Sequence, residues 1–360
     1  MIEFEVNGRR YIDFISATVT RSVGTLSNDF EFTASAVNGF PPFKSGDKVV
    51  AIVDGEKQAT GYIGRVFGDE ANGSHNVTYS GRDLTADFVN SSIDSLGDIS
   101  AEIQLSGLIV VILQHIGLDI SVINELELEP FNVAEDNIRP EVGDNCYNFV
   151  IGYVKKRQAL LTSDGDGNIV ITRSSAVRTG QHVQRLNGNQ NNNIISQEWD
   201  IDDDKRFNRY IVRGQQDPIA LNFAGDVPIG DVVDVSGIAV DPSIRTSRQN
   251  VIVEQKGYSN AELTERAKWS KKLAQAEANK FTCTVKDHAF NGQVWRENTL
   301  VLVNSDAADI SRDMLLKTVT FNHSSGGTTT KLDFVEKDVY NISENLAKEV
   351  GRQNDAFTLG

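Results

Sequence analysis

The stretch "YIDFISATVTRSV", Tyr11–Val23, alternates apolar and polar residues, and "DFEFTASAV", Asp29–Val37, repeats the alternation a few residues later. A period of two indicates a β-strand with one face buried. The segment "DKVVAIVD", Asp47–Asp54, adds a short β-branched run, and segments rich in Gly, Pro, Asn and Asp separate the three. Residues 1–82 are therefore predicted to form an antiparallel β domain, either a barrel or a small sandwich.

The apolar period changes in the middle of the chain. Leucine and isoleucine residues recur at helical spacing from Leu105 to Ile116, and Gly117 provides a stop signal. A second helical stripe that includes Cys146 comes after Asp144, a candidate N-cap. Residues 83–198 are predicted to be a compact α+β domain, and the polar stretch "NGNQNNN" near its end is predicted to be a loop or linker to the last third of the chain.

Strand patterns return in the last third of the chain. Segments such as "FTCTVKDHAF", "TLVLVNS" and "TTTKLDFVEKD" alternate again, and one Ala-, Lys- and Glu-rich helix at about 259–280 interrupts them. Residues 199–340 are predicted to be a second barrel-like β domain with this helix inserted, and residues 341–360 a tail. The predicted fold class is mainly β, with two barrel-like antiparallel β domains flanking or enclosing a central α+β domain.

The two β-rich regions also resemble each other in sequence. "FEFTAS" from Phe30 matches "FTCTVK" from Phe281 at an offset of 251, and "VAIVD" from Val50 matches "LVLVN" from Leu300 at 250. Two further matches occur in the same order, at offsets of 253 and 255. The common order favours duplication of one β domain, although alternating sheets also align by chance. Duplication would give a trimer six similar domains around its axis.

Composition limits the function classes. The 360 residues include 50 acidic and 35 basic residues, for a net charge of −15, which argues against tight binding of nucleic acid but permits DNA to pass without sticking. The longest apolar run, "LIVVIL" at Leu108–Leu113, is far short of the roughly 20 residues of a membrane-spanning helix. Cys146 and Cys283 are single and far apart, so no disulfide framework is predicted, and synthesis in a reducing cytoplasm is expected.

One acidic motif invites a chemical interpretation. "TSDGDGNIVIT", Thr162–Thr172, places Asp164, Asp166 and Asn168 at alternate positions. An EF-hand loop that starts at Asp164 would need Gly at its sixth position and Glu at its twelfth, where this chain has Ile169 and Ser175. Asp-Gly and Gly-Asn pairs are typical of hairpin turns. The motif is therefore predicted to be a turn between two strands, with no metal.

No catalytic motif stands out elsewhere. The five histidines lack zinc-binding spacing, and the chain has no P-loop, dinucleotide-binding glycine motif or nucleophile elbow. The acidic run "DIDDDKR", Asp200–Arg206, could supply a carboxylate pair, but a solvated, self-neutralising loop is the favoured interpretation. The predicted set of catalytic, cofactor-binding and metal-binding residues is accordingly empty. A cell-wall hydrolase and a carbohydrate-binding β module remain as weaker alternatives.

The motifs at both ends of the chain carry a family resemblance. "GYIGRVF" and the later "YSGRDLTADFVNSS", Tyr79–Ser92, resemble the end of the first barrel in tail proteins of Mu-like contractile phages. The late helix, the strand entry at Val294–Val301 and the ending at Gly327–Phe334 resemble the same family, the 43 kDa tail proteins that form the baseplate hub. The family's usual Trp shortly after the helix is replaced near His288–Phe290, a departure expected to affect packing alone.

This resemblance implies a structural virion component instead of an enzyme. Hubs of this family are homotrimers whose two barrel-like domains per chain make a pseudo-sixfold ring, which connects a sixfold tail tube to a trimeric central spike and lets DNA through. The implied partners are other copies of the chain, the spike, the tube and other baseplate proteins, with no cofactor and no membrane insertion. The implied location is the tail baseplate, and the alternative is the hub of a related contractile injection or secretion device.

Overall fold

A computed structural model describes residues 1–35, 42–71, 74–97, 99–175, 177–214, 235–254 and 260–337. The predicted tail at 341–360 and Ser259, the expected first residue of the late helix, lie outside these residues. No helix in the described ranges is long and apolar enough to cross a membrane.

The first β domain is built from strands, and burial alternates most clearly along β3 and β5: β1 Ile2–Val6, β2 Arg9–Tyr11, β3 Ser16–Ser22, β4 Asp29–Ser35, β5 Lys48–Val53, β6 Glu56–Ala71 and β7 Ser74–Asp83. Its core is aromatic: Phe4, Phe32 and Tyr79 are fully buried, and the rings of Phe32 and Tyr79 stack with centroids 5.0 Å apart. Each such side chain contributes roughly 1.5–3 kcal/mol by leaving water, so the apolar face predicted from the alternation stabilises this domain.

The middle domain combines short helices with one two-stranded and one three-stranded sheet. Its elements are α1 Thr85–Asn90, β8 Glu102–Ile103, α2 Leu105–Ile116, β9 Val122–Asn124, β10 Phe131–Asn132, α3 Cys146–Lys156, β11 Leu160–Ser163 and β12 Ile169–Thr172. Gly117 ends α2 in the left-handed conformation, as predicted. Asn145, not Asp144, caps α3, because its side chain accepts a hydrogen bond from the backbone N–H of Asn148.

The remaining elements are, in chain order, β13 Arg178–Arg185, β14 Ile194–Ile201, β15 Arg209–Gly214, β16 Val235–Val240, β17 Gln249–Glu254, α4 Asn260–Ala278, β18 Asn279–Lys286, β19 Ala289–Phe290, β20 Gln293–Val294, β21 Thr299–Ser305, β22 Ile310–Ser324 and β23 Gly327–Glu336. The second β domain consists of β13, β14, β18 and β21–β23, and the structure confirms a mainly β fold with a helical middle insert.

Two sequence-based boundaries need correction. Strands β13 and β14 lie inside the predicted middle domain, 83–198, yet they pair with β21 and β18 of the second β domain. The stretch Asn187–Asn193 is consequently a connection between two strands of that domain and not a domain boundary. Polar composition alone cannot separate these cases, because loops within a domain and linkers between domains are equally hydrophilic.

The predicted second domain, 199–340, also contains a separate α+β unit. Strand β15 pairs with β16 and β17, and one face of this sheet packs on α4 around its own core of Tyr210, Val212 and Leu263. The helix predicted at about 259–280 is α4. Its position is predicted correctly, but it packs in this α+β unit and is not an insertion into the second barrel-like domain. Its contact with the second β domain is smaller and centres on Ala276.

Asp241 lies in the α+β unit and is 1% exposed. Its ionisation is predicted to make the stability of the fold depend on pH. Burial alone would raise the pKa of Asp241, but hydrogen bonds from Ser243, Arg206 and Gln275 lower it from 3.8 to about 2. A depressed carboxylate pKa stabilises the fold above the unfolded-state pKa, and this stabilisation is lost as the pH falls from about 4 to about 2. The contribution is about 2 kcal/mol.

Asp241→Asn is therefore expected to lower the free energy of unfolding at pH 7 by about that amount and to flatten its decline between pH 4 and 2. Urea titrations at several pH values measure both effects. Asp166→Asn is the matched control, because the side chain of Asp166 is 62% exposed and its partner Lys57 is on the surface. If the free energy of unfolding of Asp241→Asn declined with pH as it does in the wild type, the stabilising role of the Asp241 carboxylate would be contradicted.

Candidate functional site

The two β domains share one sheet. Strand β3 of the first pairs antiparallel with β22 of the second, from Ser16 opposite Ser324 to Ser22 opposite Thr318. This junction joins eight strands in the order β14-β18-β23-β22-β3-β4-β7-β6, which we call the wall. The buried residues of both domains also form a single hydrophobic cluster. Paired backbone and a common core therefore join the two domains.

The face of the wall that points away from the core is rich in hydroxyl groups. Across the junction, the Thr18 hydroxyl donates to the Asn322 side chain over 3.1 Å, and the hydroxyls of Ser22 and Thr318 lie 2.9 Å apart. Further from the junction, Thr282 donates to Asp333 over 2.7 Å. Small hydroxylated side chains in neighbouring strands form hydrogen bonds with one another and with neighbouring polar side chains, which makes this face polar.

The two β domains repeat each other in strand order and in detail. The order β4-β7-β6-β5 in the first domain corresponds to β18-β23-β22-β21 in the second. Each long hairpin has a register shift, after Ile63 in β6 and after Leu316 in β22, and these residues are 253 positions apart. A β-bulge at the same place in both hairpins supports duplication more strongly than alternation does.

The observed register changes two of the sequence offsets. From the pairing, Val49 corresponds to Val301, an offset of 252 where the sequence suggests 250, and β7 corresponds to β23 at 253 where it suggests 255. The offset of 251 for Phe30 and Phe281 is confirmed. A slip of two residues keeps the same side chains on the buried face, so the alternating pattern cannot detect it.

A buried arginine fastens the junction. Arg21 of β3 is 7% exposed, and its guanidinium pairs with the Glu297 carboxylate at 2.6 Å and donates to the carbonyl oxygens of Gln58 and Ser163. Burial alone would lower the pKa of Arg21, but the negative charge of Glu297 raises it above its ordinary value. One side chain thus contacts the first β domain, the second β domain and the middle domain.

A second buried polar group continues this network. Asp83, 1% exposed, accepts hydrogen bonds from the backbone N–H of Asn28 at 3.0 Å and from the hydroxyls of Ser27, Thr85 and Ser163. The sequence pattern does not reveal Arg21 or Asp83, because a single charged residue within an alternating strand looks like an exposed one. Only their burial reveals that they position the domains.

The wall forms a concavity of about 490 Å³ where the first β domain meets α1. Its charged side chains have both signs, with Asp29 and Glu31 beside Arg65 and Arg82, and Asp29 and Arg82 lie 3.5 Å apart. Burial raises the pKa of Asp29, and Arg82 opposes that effect. The lining lacks a nucleophile paired with a base, so the concavity has the features of a docking surface and not of an acid–base site.

The acidic motif at 162–172 is the predicted turn. It connects β11 and β12, and the Asp164 carboxylate accepts hydrogen bonds from the backbone N–H groups of Asp166 and Asn168. The turn docks on the first β domain through an ion pair of 2.7 Å between Asp166 and Lys57 and a hydrogen bond from Thr60 to the Gly165 carbonyl. The motif therefore contributes to domain contact.

The other candidate groups also have structural surroundings. In the run 200–206, Arg206 pairs with Asp203 at 2.6 Å and with buried Asp241 at 2.8 Å. Both cysteines are free and buried, and burial raises the pKa of each thiol. Among the described residues, no group of three or more His, Cys, Asp or Glu side chains is arranged to hold a metal ion.

The departure at His288–Phe290 affects packing. His288 is fully buried, its Nε2 lies 3.1 Å from the Asn322 carbonyl oxygen, and its ring meets Phe321 edge-on. Burial lowers the pKa of His288, which favours the neutral imidazole in the core.

Comparison with known proteins agrees with this architecture. Residues 1–83 match the family model described as "Mu phage baseplate assembly protein GpP-like, N-terminal", and residues 259–343 match "Mu phage baseplate assembly protein GpP, fourth domain". The chain is 21% identical to the baseplate hub protein gp44 of Escherichia phage Mu, over 94% of this chain and 88% of that protein.

Two solved structures share the fold. The 43 kDa tail protein of prophage MuSo2 from Shewanella oneidensis superposes with a TM-score of 0.76 at 23% identity, covering 94% of this chain and 98% of that one. The tail protein from Neisseria meningitidis MC58 gives the same TM-score at 18% identity, covering 94% and 97%. With family models matching both ends and these likenesses spanning most of its length, the findings support a Mu-like baseplate hub family for this chain.

Proposed function

We propose that this protein is the homotrimeric hub of a Mu-like phage tail baseplate, a structural component without enzymatic activity. In this proposal three copies form a ring of six similar β domains, which adapts a sixfold tail tube to a trimeric central spike. The observation that carries the proposal is the repeated strand order of the two β domains, together with their shared wall. Two similar domains in each of three chains resolve a mismatch between sixfold and threefold symmetry.

The polar face of the wall supports passage of DNA through such a ring. On the strands of the wall, seven acidic and six basic residues occupy positions that alternate with the core: Asp29, Glu31, Asp69, Glu198, Asp200, Asp313 and Asp333, against Lys57, Arg65, Arg82, Lys280, Lys286 and Lys331. A nearly neutral face does not attract phosphates strongly. The chain's excess of 15 negative charges lies mostly elsewhere.

Light scattering across a dilution series tests the trimer. The expected result is a species with three times the 39.6 kDa chain mass, either alone or after addition of the spike protein. A protein that stays monomeric in both conditions would contradict the ring. A pull-down with the neighbouring spike protein then measures the second half of the proposal, and failure of a trimer to retain the spike would contradict the hub function.

A tail-associated cell-wall hydrolase is the competing function. The described residues do not bring a carboxylate pair, zinc ligands or an activated nucleophile together in the wall, and the relatives are baseplate and tail proteins. A zymogram on peptidoglycan is expected to show no clearing. The hub of a contractile secretion device would have the same trimer, but the likeness to Mu-like hub proteins favours a phage tail assembled after synthesis in the host cytoplasm.

A further inference from the structure

The internal repeat assigns an equivalent to the junction strand β3. In the first domain Val19 of β3 lies opposite Phe30 of β4, and in the second domain Trp199 of β14 lies opposite Phe281 of β18. Because Phe30 and Phe281 correspond, β14 occupies in the second domain the position that β3 occupies in the first. The same logic makes β6 the equivalent of β22, since their bulges coincide.

The equivalent edges differ in whether they are covered. The outer edge of β3 pairs with β22, whereas the outer edge of β14 has no strand partner among the described residues. The second half of β6, from Arg65 to Ala71, pairs with β7 on one side only, within the same limits. Strand β14 and the second half of β6 are therefore open strand edges at the two ends of the wall. Strand β14 corresponds to β3 and β6 corresponds to β22, and β3 and β22 pair with each other within the chain.

Side-chain exposure shows the same difference. On the core-facing side of β3, Val19 is fully buried and Arg21 is 7% exposed. The equivalent residues of β14, Trp199 and Ile201, are 47% and 70% exposed. An uncovered strand edge with large apolar side chains is normally avoided, because it pairs with other chains. The β14 edge thus has the properties of an interface.

We propose that β14 of one copy pairs antiparallel with residues 65–71 of β6 in a second copy, which repeats the β3–β22 junction between chains. This inference rests on the proposed trimeric hub and names the surfaces that close it. Transferring the junction register, in which Val19 faces Phe321 and Arg21 faces Val319, places Trp199 opposite Gly68 and Ile201 opposite Val66. The wall would then continue from each copy into the next.

Gly68 provides independent support for this register. A Cβ atom at Gly68 would meet no atom within 4 Å in the chain, and the position does not have a positive φ. The monomer therefore gives no reason for a glycine inside a strand, where it costs backbone entropy. Opposite Trp199 it leaves room for the indole. In the junction within the chain, the large residue Phe321 is on β22 and the smaller Val19 is on β3. In the proposed pair, the large residue Trp199 is on the equivalent of β3, and the small Gly68 is on the equivalent of β22.

The same register places Glu198 opposite Asp69 on the polar face. Two like charges directly opposite each other weaken strand association. Glu198→Gln is expected to strengthen self-association several-fold, whereas Glu102→Gln, in the middle domain, should leave it unchanged. Unchanged or weaker association of the Glu198→Gln protein would count against the register.

Disulfide trapping tests the pairing directly. The double variant Gly68→Cys/Trp199→Cys, oxidised in solution, is expected to give covalent dimers and trimers on a non-reducing gel, because opposite residues in antiparallel strands satisfy the Cα separation of a disulfide. Glu70→Cys/Trp199→Cys is the matched control, with the cysteines displaced by two residues, about 7 Å along the strand. Both natural cysteines are buried and should not compete.

The Trp199→Cys change removes a proposed contact, so a second variant tests the pairing with Trp199 in place. Gly68→Trp fills the space proposed for Trp199 of the neighbouring copy, and it should weaken association at least tenfold while the urea midpoint of the isolated chain stays unchanged. Wild-type light scattering separates the two proposals. A trimer without the specific cross-link would overturn the pairing and leave the hub intact. A specific cross-link that stops at dimers would support the pairing and contradict the trimer, and the absence of both would overturn the pairing.

Discussion

Replacing Arg21 by methionine is expected to lower the free energy of unfolding by about 3–5 kcal/mol, because it leaves a buried carboxylate without its partner. The side chains of Arg21 and Glu297 are 9% and 11% exposed, and Arg21 also satisfies the carbonyl oxygens of Gln58 and Ser163. Methionine fills a similar volume but donates no hydrogen bond. Urea unfolding at pH 7 measures the loss.

The matched control is Arg296→Met, one residue from Glu297. Arg296 pairs with Glu56, but their side chains are 65% and 39% exposed, so the expected loss is under about 1 kcal/mol. The double variant Arg21→Met/Glu297→Met should recover part of the stability, since no unpaired charge remains buried. Equal losses for Arg21→Met and Arg296→Met would refute the role of Arg21 in fastening the domains.

Gly81→Ala is expected to lower the free energy of unfolding by about 3 kcal/mol, because the added methyl group overpacks the sheet. A Cβ atom at this position would overlap the Tyr62 carbonyl oxygen and approach the Phe30 ring to 2.5 Å at Cζ. Phe30 is buried in the core and the Tyr62 carbonyl belongs to strand β6, so neither can move without disturbing the sheet. The hairpin of β6 and β7 should lose its register before the rest of the wall unfolds.

Gly64→Ala is the control within the same hairpin. Its Cβ would meet nothing closer than the Ser80 carbonyl oxygen at 3.9 Å, and the expected change is within about 0.5 kcal/mol. Urea unfolding compares the two variants, and hydrogen exchange of the β7 amides locates the damage. A Gly81→Ala protein as stable as Gly64→Ala would contradict the close approach of β6 and β7.

Local patterns predict much of the secondary structure. The helix at Leu105–Ile116 with its stop at Gly117 is explained by apolar spacing and glycine's tolerance of positive φ. The hairpin around Asp164 is explained by turn-forming residues between two short strands. These features depend on interactions between residues close in sequence, which the sequence displays directly. The repeat can also be recognised in the sequence, because the two regions share an alternating pattern. That pattern does not reveal an error of two residues in the offset between them.

The sequence by itself thus determined which residues form strands and helices, which face of each strand is apolar, and that two regions repeat one pattern. Only the tertiary structure decided which strands are neighbours: β13 and β14 join the second β domain, β15–β17 separate with α4, and β3 pairs with β22. Alternation fixes the buried face of a strand but not its partner, because strand pairing joins residues hundreds of positions apart. The burial of Arg21 and the exposure of Trp199 both result from that pairing.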